Sequence, residues 1–417
     1  MRYVIIGNCI AAAGAVEGIR SADQKGEITI IDGEKRGCYT RPLISYLLAG
    51  SKPSSLLYYR PEEFFTQQQA RVIAGRAVRI DPAEGQVVLE DGRSVDYDRL
   101  LLATGASPVI PGLPGIEQPW VKTLYTWKDA EEIEALIEAG GTAVVLGSGL
   151  IGIKAAEALH QRNMKVVIVE KQEQILPRLL SPWSATAATR HLEEQGIQVL
   201  TGREAMSITE QHQVELDNGV KIPAQLVIVA VGTRPNQALA RDAGLETGQG
   251  IIVNRHLQTS NPNIWAAGDV IETRNILSGT AEVMALLPLA HLEGYLAGCN
   301  MAGKSANYPG GIFLNAVHFM GMHIIAAGDP NSSGTVLSWQ EGQSSLELTI
   351  DGEYLVRYIS INIPGITGPL TAITEKQMKI AAGEWQEFIQ QPSIANLPAA
   401  YLAETRRWED DGSLRCG

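Results

Sequence analysis

The sequence predicts an α/β protein: two parallel-sheet domains in which strands alternate with helices, then a smaller α+β domain at the C-terminus. Three observations predict it. Residues 142–171, TAVVLGSGLIGIKAAEALHQRNMKVVIVEK, run from an apolar strand through a glycine-rich turn into a small-residue helix and a second strand. Residues 3–34 repeat the arrangement, with YVIIGNCIAAAGA leading to EITIID. From about residue 311 the pattern changes to short alternating runs, SSLELTI and EYLVRYISIN, with the hairpin signal IDGEY between them. At 417 residues the chain exceeds what one hydrophobic core usually supports, so several domains are expected.

In the 142–171 unit, the strand ending at Leu146 feeds Gly147-Ser148-Gly149-Leu150-Ile151-Gly152. The first glycine permits the tight turn, the second lets backbone approach a pyrophosphate, and the third lets helix pack on strand. The helix then offers free N–H groups, and its dipole favours negative charge at that end. Glu170 stands about twenty residues on, where the dinucleotide fingerprint carries a ribose-binding carboxylate. A carboxylate there repels a 2′-phosphate, which favours NADH over NADPH; Lys171 beside it moderates the preference.

The N-terminal unit is a degraded copy. Gly7 and Ala12 hold the first and third positions, Cys9 replaces the second glycine, and Asp32 and Glu34 follow the second strand. Cys9 fits a phosphate cradle if its side chain points away from the ligand. Read as a redox thiol, it lacks a neighbouring cysteine in the sequence. Side by side, the two units point to two Rossmann-type domains and two nucleotides in one chain.

Composition excludes other classes. The net charge of −12 argues against nucleic-acid partners and anionic membranes. No apolar run reaches the roughly 18 residues of a membrane span, and the start of the chain does not read as a signal peptide. Cys9, Cys38, Cys299 and Cys416 form no C-x-x-C pair and no zinc spacing, so no metal site is expected. A reducing, cytoplasmic setting is the expectation.

Three further stretches carry a family resemblance: LLLATGASPVIPGLPG (101–116), VIVAVGTRPN (227–236) and NIWAAGDV (263–270). With the two glycine turns, and in this order, they resemble the pyridine nucleotide–disulfide oxidoreductase superfamily. CYTRPLISYLLAG (38–50) is similar to a segment of its NADH-dependent ferredoxin, rubredoxin and nitrite-reductase-type flavoprotein reductases. The resemblance implies FAD on the first unit, at Gly7, Cys9 and Ala12, with Glu34 as ribose carboxylate and Asp32 in reserve. It places Arg41 and Pro42 near the FAD phosphates, and counts Ala103, Thr104 and Gly105 among the cofactor-binding residues. Gly268 and Asp269 fall where the ribityl–phosphate region is held. Pro288, Leu289 and Ala290 open a helix whose N-terminus faces the flavin, where His291 is a structural residue or a proton donor. NADH is implied on the second unit, at Gly147, Gly149, Leu150, Ile151, Gly152 and Glu170, with Gly232 toward the nicotinamide.

The chain departs from the family twice. No cysteine stands where disulfide-reducing members carry one beside the flavin, so electrons leave the flavin directly. In the ferredoxin-reductase branch a lysine follows the LS pair and meets a glutamate on the second helix; here those positions read Tyr46 and Lys154. The expectation is that the cation has moved between domains: Lys154 stabilises the electron-rich flavin while Tyr46 covers its ring system. The bland alternative is a lysine reaching from its helix to solvent.

The expected domains are FAD-binding at 1–112 and 244–310, NAD(H)-binding at 113–243, and a C-terminal interface domain at 311–417 with a helix near 374–391. Trp408, Arg406 and Arg407 in the tail suit a protein contact or a simple helix end. The function implied is an FAD-dependent NADH oxidoreductase passing electrons to an iron–sulfur protein. Competing readings are an NADH oxidase or small-molecule reductase, an NADH-sensing flavoprotein, and the flavin subunit of a larger complex. A homodimer or a complex is implied.

Overall fold

A computed structural model describes residues 1–410, with side chains described to residue 404. Cys416 lies outside this range, as do the side chains of Arg406, Arg407 and Trp408. In chain order, β1 (Arg2–Ile6), α1 (Ile10–Arg20) and β2 (Glu27–Asp32) form the first strand–turn–helix–strand unit, followed by α2 (Ile44–Leu48), β3 (Ala70–Ala74) and β4 (Arg99–Leu102). The second unit is β5 (Thr142–Leu146), α3 (Leu150–Gln161) and β6 (Lys165–Val169). The chain then returns to the first sheet with β7 (Ile264–Ala266) and α4 (Leu287–Met301).

The first sheet is five-stranded and parallel in the order β7-β4-β1-β2-β3. The second is also parallel, ordered Gln198–Leu200, β6, β5, Leu226–Val229 and Val121–Thr123. Their central strands are buried along nearly their whole length, as parallel strands covered on both faces must be. Two short antiparallel strands, Ala106–Pro108 and Thr233–Pro235, carry the chain between the sheets.

The described residues divide into two compact units. One comprises Met1–Lys171, Ile197–Arg274 and Ala281–Gly311; the other comprises Gln172–Gly196, Asn275–Thr280 and the chain from Ile312 on. Segment 172–196, inside the 113–243 stretch, packs within the second unit for a local reason. The buried Glu347 accepts from the hydroxyls of Ser181 and Ser184, and Arg357 donates to the Leu179 carbonyl. The second unit's sheet is antiparallel, in the order 314–319, 322–328, 354–361, 344–351 and 335–341. Its hairpin turns at Gly352, where φ is +61°.

The helix expected near 374–391 is two helices, Thr367–Glu375 and Ala382–Gln390. Between them Ile380 N–H donates to the Glu353 carbonyl and Lys379 bridges to Tyr354, so the hairpin captures backbone that a continuous helix would use. Trp385, Phe388, Leu370 and Tyr358 close this core. Among the described residues no helix is long and apolar enough to cross a membrane.

α1 and α4 meet backbone to backbone. A Cβ on Gly294 or Gly298 would strike the carbonyls of Ala11 or Ala15, and one on Gly14 or Gly18 those of His291 or Tyr295. Gly294→Ala is therefore expected to lower stability by about 1–3 kcal/mol or more, since neither helix can give way without moving the other. Gly112→Ala, whose Cβ meets nothing within 4 Å, should stay within about 0.5 kcal/mol of the parent. Thermal and denaturant unfolding of the two variants checks both statements.

Candidate active site

Both glycine turns are built the same way. Gly7 and Gly147 adopt φ of +115° and +99°, and a Cβ on either would run into the carbonyl of Ala103 or Ala230 from the adjoining strand. Only glycine fits there. Gly152 lies against the Gly147 carbonyl, so the third position of the second turn is also closed to a side chain. Ala12, its counterpart, is fully buried in α1.

The residue after each first glycine locks the turn to the carboxylate ending the next strand. Ser148 donates from both N and Oγ to Glu170 Oε2, at 2.8 and 2.7 Å. Asn8 Nδ2 donates to Asp32 Oδ2 at 3.1 Å. Asp32 also accepts from the N–H groups of Glu34, Lys35 and Gly37, so both its oxygens are engaged by protein. Sequence reasoning did not single out Asn8 or Ser148. The signal was present: a polar residue follows the first glycine in both motifs.

Neither α1 nor α3 has a side-chain cap. Their N-cap residues are Cys9 and Gly149, both with extended backbone, and neither supplies a capping hydrogen bond. The first-turn N–H groups, Leu150 and Ile151 among them, are left for a ligand. Cys9 turns its Sγ toward the Ala103 carbonyl, 3.5 Å away. Gly149 leaves open space where a Cβ would be, and Asn8 Oδ1 is buried without a partner. These features suit a diphosphate held by backbone at each turn.

Around the first turn the structure gathers the other expected residues. Arg41 starts the short 3-10 turn that holds Pro42 and pairs with Glu34, which also accepts from Tyr39 Oη. The Arg41 guanidinium lies 4.8 Å from the Tyr125 ring centre and 5.3 Å from that of Tyr39. Tyr125 carried no sequence signal, because only the fold brings residue 125 to residue 41. Thr104, between Ala103 and Gly105, exchanges two hydrogen bonds with Asn236, each 2.9 Å, which pins the crossing strands near Gly232. Gly268 takes φ of +81° before Asp269, whose carboxyl is raised by burial while Arg41 opposes the shift. Pro288, Leu289 and Ala290 form the uncapped first turn of α4. His291 pairs with Glu17, itself bound to Arg60, which fits the structural reading of this histidine.

Lys154 and Tyr46 meet. The Lys154 side chain is 14% exposed, and its ammonium sits 4.3 Å from the Tyr46 ring centre, joining α3 to α2. It is also paired with Glu157, a buried residue that sequence reasoning missed although its i,i+3 spacing from Lys154 was visible. Cys9, Cys38 and Cys299 are all free thiols, and burial pushes the Cys38 thiol well above its ordinary range. Among the described residues no group of His, Cys, Asp or Glu is arranged to hold a metal.

Comparison with known proteins identifies the family. The family model described as pyridine nucleotide-disulphide oxidoreductase matches residues 1–294. The epsilon subunit of NADH-dependent phenylglyoxylate dehydrogenase from Aromatoleum evansii is 32% identical over 381 residues, 89% of this chain and 87% of that one. Putidaredoxin reductase of Pseudomonas putida is 34% identical over 279 residues, 64% of this chain and 66% of that one. Among solved structures, an NAD-dependent persulfide reductase from A. fulgidus aligns with a TM-score of 0.86 at 26% identity, covering 99% of this chain and 84% of the other. Members of the matched family use FAD and NAD(P)H. The match spans well over half of the sequence, so this chain belongs to the pyridine nucleotide-disulphide oxidoreductase family and is an NAD(P)H oxidoreductase.

Proposed function

We propose that the chain holds FAD on the first glycine turn and NADH on the second, and passes electrons to an iron–sulfur protein. The observation that carries this reading is the duplication. Within one compact unit, Asn8–Asp32 and Ser148–Glu170 brace two glycine turns in the same manner, each below an uncapped helix. FAD, when bound, supplies the hydride acceptor and the electron store, chemistry that no side chain provides.

The protein's share is orientation and electrostatics. Arg41, held between Tyr39 and Tyr125, and the first turn of α1 offer positive potential to a diphosphate. Glu170, 8% exposed and fixed by Ser148, keeps a carboxylate at the second nucleotide, which favours NADH over NADPH. Lys154 holds its cation at the α2–α3 junction, and Tyr46 presents its ring to that cation. In so dry a setting a fixed charge counts for more than in water.

The direct exit for electrons is supported by the thiols: none of the three described cysteines is paired, and the Cys38 thiol is held in its unreactive form. The unpaired thiols of Cys9, Cys38 and Cys299 suit a reducing, cytoplasmic compartment. A second reading, the flavin-bearing subunit of a larger complex, is favoured by the epsilon-subunit relative, whose match runs nearly end to end in both chains. A homodimer is the alternative assembly. Purification under argon, NADH titration, and offering ferredoxin, rubredoxin or oxygen test the reading; turnover with oxygen alone would overturn the iron–sulfur acceptor.

Lys154→Met should slow reduction of bound flavin by NADH about tenfold or more with flavin content unchanged, a loss of about 1.4 kcal/mol in barrier lowering. Anaerobic stopped-flow absorbance reads it, and an unaltered rate rejects the role given to Lys154. Glu170→Gln should narrow the NADH-to-NADPH ratio of kcat/KM about tenfold, measured with both nucleotides on one preparation. In a Cys416→Ser background, Cys9→Ser and Cys38→Ser should each keep NADH-dependent electron output within about twofold. Complete loss in either would restore a sulfur relay.

A further inference from the structure

Glu293 lies on α4, 2% exposed, and plays no part in the reading above. Its Oε2 accepts from Gly268 N–H at 2.9 Å, in the turn that presents Asp269. Tyr308 brings its Oη, buried and without a well-formed hydrogen bond of its own, against the same carboxyl. Among the described residues, the titratable groups that bear on Glu293 are Asp269, just after β7, and Tyr308, beyond α4. Beside it, at Gly294, the nearest atoms of α1 are the Ala11 backbone, and the Glu17 of α1 is engaged by Arg60 and His291.

A carboxylate in this place has the Gly268 N–H and the Tyr308 hydroxyl as donors, an acid for a neighbour and, among the described residues, no cation that bears on it. Burial pushes the Glu293 carboxyl up to about 8. Protonated, it keeps a carbonyl oxygen for Gly268 and has an O–H to offer Tyr308 Oη. Ionised, it accepts from the Tyr308 O–H, which offsets part of the cost, but it adds a second buried negative charge beside Asp269.

We infer that Glu293 is a positioning residue that clamps the Gly268–Asp269 turn in its protonated form and weakens the grip on FAD when its proton leaves to solvent. The inference rests on the reading that FAD occupies the first site. Its sign follows from linkage. The folded chain binds a proton that the unfolded chain releases near pH 4.3, so this contribution to stability is complete below that pH and is lost as pH rises toward 8. FAD carries a diphosphate, so its affinity falls over the alkaline part of the same window.

The test compares the full-length chain with Glu293→Gln, a neutral side chain of the same shape, before and after flavin removal. Thermal midpoints between pH 5 and 9 should fall more steeply for the parent than for the variant. An infrared carboxylic-acid band should be present in the parent near pH 7 and missing from the variant. FAD dissociation constants from flavin fluorescence should rise about tenfold for the parent between pH 6.5 and 9, and less than threefold for the variant. Parallel midpoint profiles, or equal pH dependence of FAD affinity in the two proteins, would overturn the role of Glu293. A chain that binds no FAD at any pH would sink the flavin reading itself, and with it the coupling to FAD. The flavin-free midpoint profile would still decide whether Glu293 holds the proton.

Discussion

The close approach of α1 to α4 is the constraint on which the first site depends. Gly14 and Gly18 on one helix and Gly294 and Gly298 on the other each face the partner's backbone, so the two axes come nearer than side chains would allow. α1 follows the first glycine turn, whereas α4 follows the Gly268–Asp269 turn nearly the whole domain later in sequence. Packing them without intervening side chains ties the two turns together through rigid helices. A change of one methyl group at this seam therefore shifts two helix N-termini at once.

The second organising element is the brace between each glycine turn and the strand that follows. A carboxylate at the end of a parallel strand would be costly if it were buried and unpaired. Asp32 and Glu170 avoid that cost by accepting from the turn: Asp32 from Asn8 and three backbone N–H groups, Glu170 from Ser148. The carboxylates are fixed before any ligand arrives, which lowers the ordering cost of binding. The two turns differ in what remains. Asp32 is buried with both oxygens engaged by protein, whereas the side chain of Glu34, linked to Arg41 and Tyr39, keeps 36% of its surface exposed.

Much of this was legible in the sequence, for reasons that differ by residue. Strand, turn and helix follow one another within thirty residues in each unit, so local pattern was enough for the two glycine turns and their carboxylates. The Tyr46–Lys154 contact was also reachable, because two departures from a family pattern matched each other. Tyr125 over Arg41, Glu157 under Lys154 and Glu293 under Gly268 were not singled out. Each depends on an element arriving from elsewhere in the fold or on burial, and hydrophobic periodicity reports neither for a polar side chain. The C-terminal helix was misread as continuous for a related reason: the hairpin that interrupts it at Ile380 is a tertiary contact.

The missing second glycine of the first turn shows why a degraded motif can keep its geometry. The three positions answer to different physical demands. At the first, backbone sits in the left-handed region against a neighbouring carbonyl, so Gly7 and Gly147 are required by the fold itself. At the second, φ is −142° for Cys9 and −67° for Gly149, conformations open to any residue, and a Cβ on Gly149 would meet no protein atom. Glycine there serves the ligand's approach and not the chain's path. A side chain at this position needs somewhere to go, and the Cys9 thiol reaches for the Ala103 carbonyl. That same carbonyl is the one that bars a Cβ from Gly7, so a single backbone group enforces the first position and excuses the second.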